Sequence, residues 1–142
     1  MKPVLLDTSL YVPFFRKGAG LDQIFGNTID SIYLSVVVVE ELYAGATDPF
    51  TLKKLDFFYR VLKKHGRVLI PTEEDWIQCG VLLSKIGKRH GFESIRRSRL
   101  VNDVLIALSC HQIKGILITA NLKDFRLIRE FLDFEMEEFI HF

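Results

Sequence analysis

Lys2-Pro3-Val4-Leu5-Leu6-Asp7-Thr8-Ser9 is the stretch whose reading decides the fold. Val4, Leu5 and Leu6 form an unbroken apolar run, the pattern of a short strand covered on both faces, and Asp7 stands where that strand gives way to a turn. A carboxylate at the carboxyl end of a central parallel strand faces the crevice in which open α/β sheets bind ligands. Asp, Thr and Ser also cap helices, so taken alone Asp7 is either a site residue or a cap.

Working outward, similar apolar triplets recur at Ile32-Tyr33-Leu34, Val68-Leu69-Ile70 and Ile116-Leu117-Ile118, each predicted as a strand. Helical patterns separate them. Leu10 to Phe15 predicts a helix closed by Arg16-Lys17-Gly18, and Leu21–Phe25 a second short piece. Four valines at Val36–Val39 favour a strand by β-branching, but Ser35 is a good cap and Gly45 a plausible stop, which places a buried helix from Val36. Asp48-Pro49 opens a helix carrying Leu52, Leu55, Phe58, Tyr59 and Leu62 at helical spacing, with Gly66 beyond its end. Thr72 and the acids after it start another, with Trp76, Gly80, Leu83 and Ile86 as its expected face and Gly91 beyond its end. Phe92 to Arg99 reads as a loop. The helix Leu100 to Lys114 is expected to bury Val101, Val104, Leu105 and Leu108. The tail from Arg126 alternates aromatic and acidic residues and is assigned only a final strand or helix. Strands alternating with helices predict an α/β fold, a mainly parallel central sheet flanked by helices on both faces.

A length of 142 residues suits a single domain, and 49% hydrophobic with 26% charged residues excludes a disordered chain. The net charge of +1 advertises no global nucleic-acid field, so any such surface must be a local cluster. No apolar run is long enough to span a bilayer and no secretory pattern opens the chain, so a cytoplasmic protein without membrane association is expected. Cys79 and Cys110 lack metal or disulfide spacing and are expected to pack as small apolar residues. His65, His90, His111 and His141 show no pairing pattern. The aromatics Phe14, Phe15, Phe57, Phe58 and Tyr59 are assigned to the core, with some of them available to an interface between two copies.

Four acids have related addresses. Asp7 and Asp124 follow strands, Glu41 lies on the helix after the second strand, and Asp103 begins the helix leading into Ile116–Ile118. Parallel neighbouring strands bring such groups to one end of the sheet. Crowded carboxylates repel, so they take up protons or share a cation. An oxygen-only set points to Mg²⁺, with Mn²⁺ as a substitute, rather than zinc, and suits phosphodiester hydrolysis.

Leu5-Leu6-Asp7-Thr8-Ser9, Leu34-Ser35 followed by Glu41-Leu42 and Gly45, Asp103 with Ile106-Ala107, and Thr119-Ala120-Asn121-Leu122-Lys123-Asp124-Phe125 together resemble the PIN-domain ribonucleases, most of all the VapC-type toxins of toxin–antitoxin pairs. The resemblance spans nearly the whole chain and implies one PIN domain over residues 1–142. It implies a Mg²⁺-dependent endoribonuclease acting on RNA, with Asp7, Glu41, Asp103 and Asp124 as its acidic site. Asp7, Asp103 and Asp124 would be the metal ligands, and Glu41 would orient the attacking water. Ser9, Thr119 and Asn121 would hold the ligands by hydrogen bonds, Ser9 standing where the family more often has Asn. A cognate antitoxin and a homodimer are the implied partners, with the Pro49–Gly66 and Thr72–Gly91 helices in the antitoxin-gripping region. Arg96, Arg97 and Arg99, with Lys85, Lys88 and Arg89, are candidate contacts for RNA or antitoxin, or simply a solvated helix end. The alternative is a PIN fold kept as a non-catalytic RNA-binding or interaction module. An aspartyl-phosphate phosphatase of the haloacid-dehalogenase type would need a second Asp where Ser9 stands, and a receiver domain an Asp after Ile70.

Overall fold

A computed structural model describes residues 2–17, 31–93 and 100–139. The expected Leu21–Phe25 piece and Arg96, Arg97 and Arg99 lie outside the described residues. In chain order the elements are β1 (Val4–Leu6), α1 (Thr8–Lys17), β2 (Ile32–Ser35), α2 (Val36–Gly45), α3 (Pro49–Lys64), β3 (Val68–Leu69), α4 (Glu73–His90), α5 (Leu100–Ile113), β4 (Ile116–Thr119), α6 (Leu122–Arg129) and β5 (Glu135–Glu138).

The sheet runs β3-β2-β1-β4-β5 and every pairing is parallel. β1 is central, with Val4 in register with Ile32 on one side and Ile116 on the other. All three of its residues are buried, which explains why its sequence is apolar without alternation. The strand order reverses between β1 and β4, and that reversal opens the crevice where doubly wound sheets bind ligands.

Local chemistry accounts for most helix starts. Ser35 accepts a hydrogen bond from the Val37 amide, so the valine run folds as α2 and buries Val37, Val38, Val39 and Leu42. Asp48 caps α3, with Pro49 in its first turn. Thr72 and Asp75 form a reciprocal capping box at α4. Asp75 is itself buried and also accepts a hydrogen bond from Gln112, tying α4 to α5.

Several expectations shift. The buried stripe of α4 is Asp75, Cys79, Leu82, Ile86 and Gly87, leaving Trp76 and Gly80 exposed. The stripe lies about one position from the apolar pattern, and Asp75 on its buried side is bonded to Gln112. On α5, Val101 is exposed and the continuous run Val104–Cys110 is buried, because this helix is covered on several sides. β3 ends at Leu69, and Ile70 is exposed. The tail holds both a helix and a strand: α6 buries Phe125 and Ile128, and β5 pairs with β4. Phe57 is exposed, whereas Phe15 is buried and Phe14, Phe58 and Tyr59 pack against the core. Cys79 and Cys110 are buried free thiols, as expected, and burial pushes the Cys79 thiol up to about 11.

The α5-to-β4 turn holds a specific constraint. The left-handed residue is Lys114, with φ of 54°, and Gly115 serves space instead. A Cβ there would lie 2.7 Å from the Pro3 carbonyl oxygen, which accepts the Ile116 amide at 2.9 Å. Gly115→Ala must push β1 and β4 apart and is expected to cost about 1–3 kcal/mol. A urea unfolding midpoint equal to that of the parent would refute this.

Candidate active site

Asp7 is placed by backbone first. Its amide donates to the Ile118 carbonyl at 3.3 Å and its own carbonyl accepts the Leu10 amide at 3.2 Å, so it bridges β4 and the first turn of α1. The side chain is only 6% exposed. Ser9 Oγ donates to Oδ1 at 2.5 Å and Thr119 Oγ1 donates to Oδ2 at 2.8 Å. Those hydroxyls are aimed in turn, because the Ala120 amide donates to Ser9 Oγ at 3.1 Å and the Asn121 amide to Thr119 Oγ1 at 2.9 Å. Each hydroxyl accepts from the backbone and so turns its single proton toward the carboxylate.

Glu41 lies partly buried on α2, where it accepts a hydrogen bond from Thr8 Oγ1 at 2.7 Å. Neighbouring residues of the opening motif thus hold carboxylates from two elements. Glu40, the adjacent acid, is exposed. Asp103 lies in the first turn of α5 and Asp124 in the first turn of α6, both partly buried.

The charges of Asp124, Asp7 and Glu41 all reach Asp103. Burial first, then those three carboxylates, push its carboxyl up to about 7. Burial also raises Asp7, opposed by the hydrogen bonds from Ser9 and Thr119 and aided by the Glu41 charge. The four acids share one electrostatic neighbourhood without closing on one point. Among the described residues, no group of three or more His, Cys, Asp or Glu side chains is drawn together tightly enough to hold an ion. The donor set is nevertheless all oxygen, and a cation is the natural relief for carboxylates crowded this way.

Beneath the site, Tyr11 is fully buried on α1 with a hydroxyl that has no hydrogen-bond partner. Its ring packs 5.5 Å from that of Phe58 and 6.2 Å from that of Phe15. Burial and the charge of Asp7 both raise its pKa.

One supporting contact escapes a reading by motif, and another comes from the backbone of a residue the motif names. Thr8 holds Glu41, although its position after Asp7 reads as a helix-start residue. Asn121 supports Thr119 through its backbone amide, and its side chain makes no cap hydrogen bond. Of the candidate cations, Lys85 and Lys88 are exposed, while Arg89 lies 3.5 Å from Glu130 and His90 lies 2.9 Å from the same carboxylate.

Thr119 is fully buried, so Thr119→Val leaves Asp7 one donor short and the Asn121 amide without its acceptor. We expect a loss of about 1–3 kcal/mol in stability. Unchanged chemical denaturation would show that neither bond matters.

A doubly wound parallel sheet with carboxylates gathered at its switch point defines a class of α/β proteins with an acidic crevice. Within that class the chain belongs to the PIN domain family, whose pattern it matches over residues 4–130. Among solved structures, its fold is similar to that of DNA-bound VapBC from Salmonella typhimurium, with a TM-score of 0.64, 17% identity, and coverage of 97% of this chain and 98% of that one. VapBC2 from Rickettsia felis, bound to a promoter DNA fragment, gives a TM-score of 0.63 and 20% identity, covering 96% of this chain and 98% of that one. VapBC-1 from nontypeable Haemophilus influenzae gives 0.59 and 19%, covering 95% and 96%. Comparison with curated proteins finds no significant match.

Proposed function

We propose that this protein is a metal-dependent endoribonuclease of the VapC type, the toxin of a toxin–antitoxin pair, with residues 1–142 acting as one PIN domain. The observation that carries the reading is the meeting of Asp7, Glu41, Asp103 and Asp124 in one neighbourhood at the carboxyl edge of the sheet, where burial first and then the other three carboxylates raise the Asp103 carboxyl. Asp7, Asp103 and Asp124 are the residues that would hold Mg²⁺, or Mn²⁺ in its place. When bound, such a cation acidifies a water and stabilises charge on the leaving oxygen of a phosphodiester.

The chain's own residues do the rest. Ser9 and Thr119 keep Asp7 oriented, and Thr8 keeps Glu41 where it can accept a proton from the attacking water. The family membership supports nuclease chemistry, and the two-component complexes among the structural neighbours support an antitoxin partner. The outward face of α4, with Trp76, Ile77 and Val81 all exposed, supports a homodimer. Among the described residues no helix is long and apolar enough to cross a membrane, which is compatible with action on cytoplasmic RNA.

Incubating the purified protein with total RNA in Mg²⁺, with and without chelator, tests the reading. Fragments that appear only with the free cation are expected. Intact RNA in both arms would overturn the nuclease reading and leave a PIN fold that binds RNA or protein without cutting as the alternative.

A further inference from the structure

The helix most unlike the rest of the surface is α3. Its sixteen residues carry Lys53, Lys54, Arg60, Lys63 and Lys64 against the single acid Asp56, a net charge of +4 on a chain whose total is +1. Asp56 is engaged by the Tyr43 hydroxyl at 2.5 Å. None of the five cations forms a salt bridge with a described residue. Phe50 and Phe57 are the most exposed large apolar side chains described, at 67% and 68%.

These residues fall on one face. Phe50, Lys53, Lys54, Phe57, Arg60 and Lys64 follow helical spacing on the side opposite the buried Leu55 and Leu62. The two rings stand two turns apart, about 10 Å along the axis. Lys54 Nζ sits 4.4 Å from the Phe50 ring centroid, so cation and ring form one platform. A cleft lined by Val12, Phe15, Arg16, Glu41, Thr51 and Leu55 runs between the inner side of α3 and Glu41, so the helix borders the acidic site.

We propose that the outer face of α3 is a docking platform for single-stranded RNA, rings stacking on unpaired bases and cations neutralising the flanking phosphates. Charge complementarity selects a polyanion, because a phosphate chain entering a cleft edged by carboxylates must draw its affinity from another surface. The exposed rings select single strands, since only unpaired bases present faces for stacking. This inference rests on the RNA reading of the acidic site and adds where the strand lies beyond it.

Fluorescence anisotropy with labelled oligouridine, in chelator so that no cleavage occurs, tests it on the whole chain. Phe50→Ala with Phe57→Ala should weaken binding by about tenfold or more. Replacing Lys53, Lys54, Arg60 and Lys64 with Gln should reduce the slope of log affinity against log salt by about 3. Lys114→Gln, an exposed cation at the amino-terminal edge of the sheet, should change neither. Ring and charge variants are read separately, each with a thermal melt, so a folding defect in one leaves the other decisive. Parent-like binding by both sets overturns the proposal. So does equal competition by duplex RNA, or by polyglutamate, which would mark an acidic-protein surface. Binding through α3 without cleavage on adding Mg²⁺ would sink the nuclease reading alone; cleavage with binding indifferent to α3 would sink this inference alone.

Discussion

Asp7→Asn should lower divalent-dependent RNA cleavage by more than about a hundredfold, the upper end of what losing a partner behind a metal ligand costs. The side chain keeps its volume, and an amide oxygen can still accept from Ser9 or Thr119, so packing at the β1–β4 junction survives. What disappears is the negative charge that a cation needs. Burial already penalises that charge in the folded protein, so the variant should be no less stable than the parent in the absence of metal. The experiment is a cleavage time course in Mg²⁺ beside a thermal melt. Equal cleavage by the two proteins would remove Asp7 from the chemistry, and a collapsed melt would reassign it to the scaffold.

The second large effect is a stability that falls as pH rises. The Asp103 carboxyl moves from an ordinary value of 3.8 to about 7 on folding, so between those limits the native state binds more protons than the unfolded chain. Unfolding then releases protons, and stability declines as pH increases through that window. A shift of this size sets a ceiling of roughly 4 kcal/mol, and partial solvent screening brings the expected loss to about 1–3 kcal/mol. Asp7, raised in the same direction, adds to the trend, and the interacting acids titrate together over a broadened range. The metal-free protein should therefore melt several degrees lower near pH 8 than near pH 5. Asp103→Asn should flatten the curve, and millimolar Mg²⁺ should restore much of the loss at high pH, because the ion binds only the folded site strongly. A melting temperature independent of pH in both parent and variant would show that these carboxylates are not coupled.

Much of the framework was legible because it depends on neighbours in sequence. The apolar triplet at Val4–Leu6 and its counterparts at residues 32 and 116 mark buried parallel strands, and Ser35, Asp48 and Thr72 mark helix starts through bonds formed within three residues. The valine run shows the limit of propensity. Its β-branching argues for strand, and burial of one face with a serine cap makes it helix. The acids were legible by address, because a strand's end dictates where the next residue emerges.

Contacts across the sheet were decided only in three dimensions. Thr8 reaching Glu41, Thr119 reaching Asp7, and Gln112 reaching buried Asp75 join residues 33, 112 and 37 positions apart, and no local pattern encodes such pairings. The last of these lies on the buried side of α4, and Trp76, which the apolar spacing places inward, faces outward. Phe57 reads as core by hydrophobicity, yet α3 has only one side against the protein, and that side is already filled by Leu55 and Leu62. The chain alone thus determined most of the strands and helices as far as β4, and which carboxylates stand at their ends. Tertiary packing decided which hydroxyls hold those carboxylates and which faces stay open, since burial is a property of neighbours distant along the polymer.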